Sequence, residues 1–245
     1  MSEGESLVVI TGASSGLGRA LARAVPFPAT VVDISRSGVG GDGIEHLTAD
    51  LSDPTAWPDV GDQIHRLFSV YQPARAVFIH AAGTLNPIGF AGEVDTAAYS
   101  RNVLLNSAAG QVLGHMFLSA VRGREGSFQL VMISSGAARS VYPGWSAYGA
   151  GKAALDQWVR NVGAEQKTRG GVAVVSIAPG VLATAMQEQI RKTSETDFPE
   201  VARFHSLHEE DRLADPAEAA ARIWRALEAG IESGSVVDIR DLDPG

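Results

Sequence analysis

Seven short runs of apolar, largely β-branched residues punctuate the chain: LVVIT (7–11), TVVDIS (30–35), EHLTAD (45–50), AVFIHAA (76–82), FQLVMISS (128–135), VAVVSIAPG (172–180) and VVDIR (236–240). Most are continuously apolar rather than alternating, the pattern of strands covered on both faces in a parallel sheet. Parallel strands need crossovers, and alanine-rich stretches supply them: GRALARAV, DQIHRLFSV, a long segment from Asp95 to about Val121, and the helix after Tyr148. The last helix starts at DPAEAAARIWRAL, where Asp215 serves as N-cap, Pro216 fits the first turn and Glu218 completes a capping box. The alternation predicts one doubly wound α/β domain over residues 1–245, with a seven-stranded, mostly parallel sheet and helices on both faces.

Composition narrows the function. Hydrophobic residues make up 45% and charged residues 20%, the balance of a soluble globular chain with ample core. A net charge of −8 argues against a nucleic-acid-binding surface. The absence of cysteine removes disulfides, cysteine-ligated zinc and thiol nucleophiles together, and no metal site is expected. The opening MSEGES is polar and acidic, the apolar run behind it is too short for a signal peptide, and no stretch reaches the roughly 18 apolar residues of a membrane span. A cytoplasmic location with no membrane partner is the default expectation. Residues 184–214 show no clear period, and so long a segment in a compact domain reads as a substrate lid.

TGASSGLG (11–18) follows the first strand directly and runs into the first helix. Glycines there let a backbone approach a diphosphate, and the helix N-terminus offers free N–H groups and a positive dipole end. Further on, SAYGAGK places Tyr148 and Lys152 four residues apart, hence on one helical face. Hydride addition to a carbonyl leaves an oxyanion that must be protonated, and an ordinary tyrosine is a weak acid for this at neutral pH. A neighbouring ammonium is expected to lower its pKa. Ser135 ends the fifth strand, thirteen residues earlier, where open α/β sheets place their ligands; Ser134 is its rival.

TGASSGLG, the Ala82 and Gly83 after strand four, and a serine followed thirteen residues later by YxxxK together resemble the short-chain dehydrogenase/reductase family, over about residues 7–240. The resemblance implies a Rossmann-type fold, an NADP(H) or NAD(H) cofactor and a catalytic set of Asn106, Ser135, Tyr148 and Lys152. Family spacing from Tyr99 selects Asn106 over Asn102, which is expected at the surface. The implied cofactor contacts are Gly12, Ser14, Ser15, Gly16, Leu17 and Gly18 in the turn; Asp50 and Leu51 at the adenine; Ala82 and Gly83; Tyr148 and Lys152; and Pro179, Gly180 and Thr184 at the nicotinamide. In VVDISRS the family's acidic position holds Ser35, so Ser35 and Arg36 read as a clamp for a ribose 2′-phosphate and favour NADP(H). Asp33, two residues earlier, is the NAD alternative. Two departures stand out. His80 and Ala81 replace the usual asparagines, with His80 read as a structural substitute, and SGVGGDG is too short for a helix between strands two and three.

AAGTLNPIG, PGWSAYGAGKAALD, APGVLATAMQ and SGSVVDIRDLD are most similar to the sepiapterin reductase and benzil reductase branch of that family. This implies a carbonyl reductase for a pterin side chain or an aromatic α-diketone. Asp238 would anchor the amino-pyrimidine edge of a pterin, or else cap nearby backbone. Ser135, Tyr148, Trp145 and Met186 face the substrate, with Leu85, Phe198 and Phe204 in the wall. The alternatives are an NAD-dependent alcohol dehydrogenase and a nucleotide-binding sensor without catalysis. Relatives pair the helices carrying Asn106 and Tyr148 about a two-fold axis, so a homodimer is expected, with a tetramer as the larger alternative.

Overall fold

The computed structural model describes residues 6–39 and 43–242. Strands β1 (Ser6–Thr11), β2 (Ala29–Ser35), β3 (Ile44–Thr48), β4 (Arg75–His80), β5 (Ser127–Ile133), β6 (Ala173–Ala178) and β7 (Val236–Asp238) form one sheet in the order β3-β2-β1-β4-β5-β6-β7. All of these pairings are parallel, so the sheet expected to be mostly parallel is parallel at every pairing.

The continuous apolar runs have the predicted cause. In β1, Leu7 and Val9 enter the core on one face of the sheet while Val8 and Ile10 enter the core on the other. The same split divides Ala76 and Phe78 from Val77 and Ile79 in β4, and Leu130 and Met132 from Val131 and Ile133 in β5. Side chains alternate with period two, so a strand covered on both sides must be apolar at every position.

The covers are α1 (Gly16–Arg23), α2 (Trp57–Tyr71), α3 (Thr96–Val103) continuing through a π turn at 104–108 into α4 (Ala109–Val121), α5 (Ser146–Arg169), α6 (Ala185–Arg191), α7 (Val201–Glu209) and α8 (Pro216–Ala229). Among the described residues no helix joins β2 to β3, as the short connection implies; residues 40–42 of it lie outside them. Asp215 caps α8 by accepting from the N–H groups of Ala217 and Glu218 at 2.7 and 3.1 Å. Trp224 then reaches across to α1, donating its indole N–H to the Leu21 carbonyl at 3.0 Å.

The 184–214 segment is not an irregular loop. It folds into α6 and α7, of seven and nine residues, too short for a helical period to emerge from the sequence. Its two ends are pinned by Ala183 N–H to Ala214 carbonyl and Ala214 N–H to Val181 carbonyl bonds, each 2.9 Å. Ile190, Phe198, Val201 and Phe204 on its inner side pack with Leu85, Trp145 and Tyr148. Strand order reverses between β1 and β4, and a doubly wound sheet binds its ligand in the crevice at that point.

Candidate active site

A cavity of about 720 Å³ opens along the carboxyl ends of the strands. Its first wall is the turn after β1. Gly12 has φ +75°, and a Cβ there would lie 2.7 Å from the Ala82 Cα; a Cβ on Gly18 would lie 2.3 Å from the Gly12 carbonyl oxygen. Any side chain at either place would push the turn open. Thr184 packs beside Gly16, its Cγ2 3.5 Å from where a Gly16 Cβ would lie, and Ser14, Ser15, Leu17, Leu51, Pro179 and Gly180 also line the cavity.

The end of β2 departs from its sequence reading. Asp33 is fully buried and does not line the cavity. Its Oδ1 accepts from the Ala13 N–H at 3.0 Å, and its Oδ2 accepts from the Ser35 hydroxyl at 2.6 Å and meets His46 Nδ1 at 3.1 Å. Burying a lone carboxylate costs several kcal/mol, and three such partners, each worth roughly 1.5–3 kcal/mol, offset that cost. Asp33 is therefore a strut under the glycine turn. Ser35 lines the cavity, but its hydroxyl is spent donating to Asp33 and accepting from the Gly38 N–H at 3.1 Å. Arg36 remains as the charged group at the strand end, opposite Asp50. The Asp50 carboxyl is held below its usual range by the Ser52 hydroxyl first and, more weakly, by the Arg36 and Arg101 cations.

At the other end the side chains of Ser135, Tyr148 and Lys152 line the same cavity. Ser135 accepts from the Ala137 N–H at 3.2 Å and pairs with the Tyr148 hydroxyl. Its rival Ser134 is buried with no partner for its hydroxyl among the described residues, as is the Trp145 indole nitrogen; both border the cavity. Lys152 donates to the Ile133 carbonyl at 2.8 Å, with its Nζ 5.9 Å from the Tyr148 ring centre. Burial pushes the Tyr148 hydroxyl above the ordinary tyrosine value, and Ser135 only partly offsets this. The expected lowering by Lys152 is not found: what opposes the effect of burial is the Ser135 hydrogen bond. Burial also brings Lys152 down to about 8, against the pull of Asp156. At neutral pH both groups keep their protons, the state that a proton donor requires.

Asn106 sits behind this set rather than in the cavity wall. The π turn places it beneath Gly83, where a Cβ would lie 2.9 Å from its Oδ1 and 3.6 Å from Lys152 Nζ. Its amide donates to the Thr84 carbonyl at 2.7 Å and accepts from the Thr84 N–H at 3.1 Å, locking the exit of β4. The expectation that Asn102 lies at the surface is corrected: it is buried, accepts from Asn106 at 2.7 Å and donates to the Asn86 carbonyl at 2.8 Å. The i, i+4 spacing puts it on the same inward face. His80 is buried, with Nδ1 2.9 Å from the Thr11 hydroxyl oxygen, which also accepts from the Ala82 N–H at 3.2 Å. Burial first, and then the Lys152 cation, bring its pKa down to about 3, so it is a neutral brace between β1 and β4.

Above Tyr148 lies an aromatic wall. Trp145 meets Tyr148 edge-on at 5.6 Å and stacks on Phe198 at 4.5 Å; Phe204, Leu85 and Met186 border the cavity, whereas Phe198 stands behind Trp145. Asp238 does not line the cavity: Arg240 grips both its oxygens, Nε to Oδ1 at 2.8 Å and Nη2 to Oδ2 at 2.7 Å. The hydrogen bonds from Arg240, with Arg139 nearby, keep the Asp238 carboxyl below its usual range. Sequence reasoning missed Tyr142, Arg203 and Arg240 in the wall. Arg240 lies in VVDIR, a run already singled out, and Tyr142 falls one residue before PGWSAYGAGKAALD, whereas Arg203 arrives only because the lid folds back.

A family model described as short chain dehydrogenase matches residues 6–195. Benzil reductase ((S)-benzoin forming) of Bacillus subtilis (strain 168) is 35% identical over 243 residues, covering 96% of this chain and 99% of its own. Sepiapterin reductase of Mus musculus is 32% identical over 260 residues, covering 97% and 98%. A short chain dehydrogenase/reductase from Saccharomyces cerevisiae superposes with a TM-score of 0.83 over 98% of this chain and 97% of its own, at 22% identity, which speaks for the fold. Sheet order, glycine turn, serine–tyrosine–lysine set and these likenesses agree: the chain belongs to the short-chain dehydrogenase family, oxidoreductases that work with a nicotinamide cofactor on small molecules.

Proposed function

We propose that this chain is an NADPH-dependent carbonyl reductase acting on small aromatic ketones or α-diketones of the benzil type. The observation that carries the cofactor choice is the burial of Asp33, whose oxygens are taken by Ala13, Ser35 and His46. Among the described residues no carboxylate is left at the end of β2 to meet a ribose diol, and the Arg36 cation lining the cavity there suits a 2′-phosphate. The glycine cradle around Gly12 and Gly18 suits a dinucleotide diphosphate, and the unpartnered Ser134 hydroxyl gives the reacting end a polar contact to offer.

The bound cofactor supplies the hydride. The chain supplies the acid and the surroundings. Tyr148 gives its hydroxyl proton to the carbonyl oxygen as charge grows there, and Ser135, whose Oγ already accepts from Ala137, donates to the same oxygen. Lys152 stabilises the phenolate left behind. Trp145 and Phe204 keep water from the reacting face. The wall suits a flat aromatic substrate, and the engagement of Asp238 by Arg240 favours an aromatic diketone over a pterin edge.

Oxidation of NADPH and of NADH, followed at 340 nm with benzil and with sepiapterin, tests this. We expect NADPH and benzil to give the highest kcat/KM, and Arg36→Ala to weaken NADPH by about tenfold or more while sparing NADH. Equal use of NADH by the wild type would sink the cofactor assignment.

A homodimer is part of the same proposal. The α3–α4 and α5 faces leave Val103 42% exposed and Leu104, Ala108, Val112 and Trp158 only partly covered. A two-fold pairing would bury them. Sedimentation at micromolar concentration should show twice the chain mass of 25.7 kDa; a monomer refutes the pairing.

A further inference from the structure

The cavity is cationic in a chain whose net charge is −8. Among the described residues its charged lining consists of Arg36, Asp50, Arg101, Lys152, Arg203 and Arg240. Arg36 and Arg101 face Asp50 at the adenosine end, and Lys152 serves Tyr148. Arg203 and Arg240 have no part in the reduction proposed above.

Both converge on one residue. Arg203 donates to the Tyr142 hydroxyl at 3.0 Å, and its guanidinium lies 5.8 Å from that ring's centre. Arg240 is close enough to Tyr142 for the two to interact electrostatically. Tyr142 in turn lies 5.0 Å from Trp145, which lies 5.6 Å from Tyr148, so by these contacts two aromatic rings separate the guanidiniums from the proton donor, along the wall of the cavity they share. Arg240 does not wander: the buried Asp238 holds it in a two-point fork, while 64% of its side chain remains exposed. Arg139 approaches the same carboxylate at 3.8 Å. Even with Asp241 counted as a second nearby carboxylate, Arg203, Arg240 and Arg139 outnumber the carboxylates at this mouth among the described residues.

We propose that the preferred substrate is an aromatic ketone or diketone bearing a carboxylate on the far side of its ring from the reacting carbonyl, received by Arg203 and Arg240. A guanidinium suits a carboxylate; with Nε and Nη2 of Arg240 held by Asp238, its outer Nη1 edge faces the ligand, and a site facing water makes each contact modest. This inference rests on the carbonyl reductase reading and deepens it.

The test compares 4-carboxybenzil with its methyl ester, which share shape and differ in charge, under saturating NADPH. The acid should have a kcat/KM about tenfold above the ester, as two half-exposed ion pairs would supply. That advantage should shrink as salt rises from about 0.02 to 0.5 M. Arg203→Met and Arg240→Met, made separately, should each pull the acid-to-ester ratio down toward one. The ratio within one variant cancels any loss of folded protein. Arg203 is the cleaner arm, because removing Arg240 also frees the Asp238 carboxylate. An acid-to-ester ratio at or below one in the wild type, or one that neither variant changes, overturns the inference and leaves the reductase reading intact. Failure to reduce either compound overturns both.

Discussion

Tyr148→Phe lowers carbonyl turnover by at least about a thousandfold, within the range for loss of a positioned general acid. The variant keeps the ring that packs edge-on against Trp145 and removes only a buried hydroxyl, so the wall and the fold stay in place. Its thermal midpoint should stay close to the wild type, and NADPH titrated against tryptophan fluorescence should bind with nearly unchanged affinity. This pairing of outcomes separates an enzyme from a nucleotide-binding sensor. A sensor would keep its ligand response, and with it any slow background reduction, in the phenylalanine variant. Retention of more than about a tenth of wild-type turnover would mean that another group supplies the proton.

The second large effect belongs to Lys152. Its ammonium has to be present for the phenolate of Tyr148 to be stabilised, and burial brings its pKa down to about 8. The kcat/KM for reduction, which reports the free enzyme, should therefore be level near pH 7 and fall as pH rises through about 8. Lys152→Met should lose activity by about a hundredfold or more at every pH and show no such descent.

Stability moves the other way. The folded pKa of about 8 lies below the ordinary 10.5, so between these values the unfolded chain holds a proton that the folded chain has released. Unfolding free energy then rises with pH across that window. Relative to Lys152→Met, the wild type should gain roughly 3 kcal/mol between pH 8 and 10.5, at about 1.4 kcal/mol per unit. Denaturant melts of both proteins at several pH values measure the difference directly. A gap that stays constant would mean that Lys152 titrates normally and that its ammonium is not desolvated.

The features legible from sequence are those carried by neighbouring residues. A strand covered on both faces shows an unbroken apolar run, and the runs at 7–11, 76–82 and 128–135 each became a strand within a residue or two of the expected limits. The glycine turn, the Tyr148–Lys152 spacing and the cap at Asp215 depend on backbone geometry over at most seven residues, which a short pattern can encode. The lid was harder. Its two helices are short, and what folds them back is contact between Phe198, Phe204 and a tryptophan more than fifty positions earlier.

The sequence alone thus determined the parallel α/β sheet, the cradle at its switch point, and the serine, tyrosine and lysine that meet in one cavity. The tertiary structure decided what each charge near that cavity faces. Asp33 reads from its strand as a possible ribose ligand, yet it is turned into the core by Ala13, twenty positions before it, and His46, thirteen after. Asp238 reads as a substrate anchor, yet Arg240 closes over it, and Arg203 joins the cavity wall beside Tyr142, sixty-one positions away, once the lid folds back. Asn102 reads as a surface residue until the π turn and the Thr84 loop surround it. The physical reason is common to all of them. A polar side chain's role is set by the partner that satisfies it; for Asp33, Arg203 and Asn102 folding brings distant partners close, and for Asp238 the local chain path at the end of the last strand turns Arg240, two residues on, back onto it.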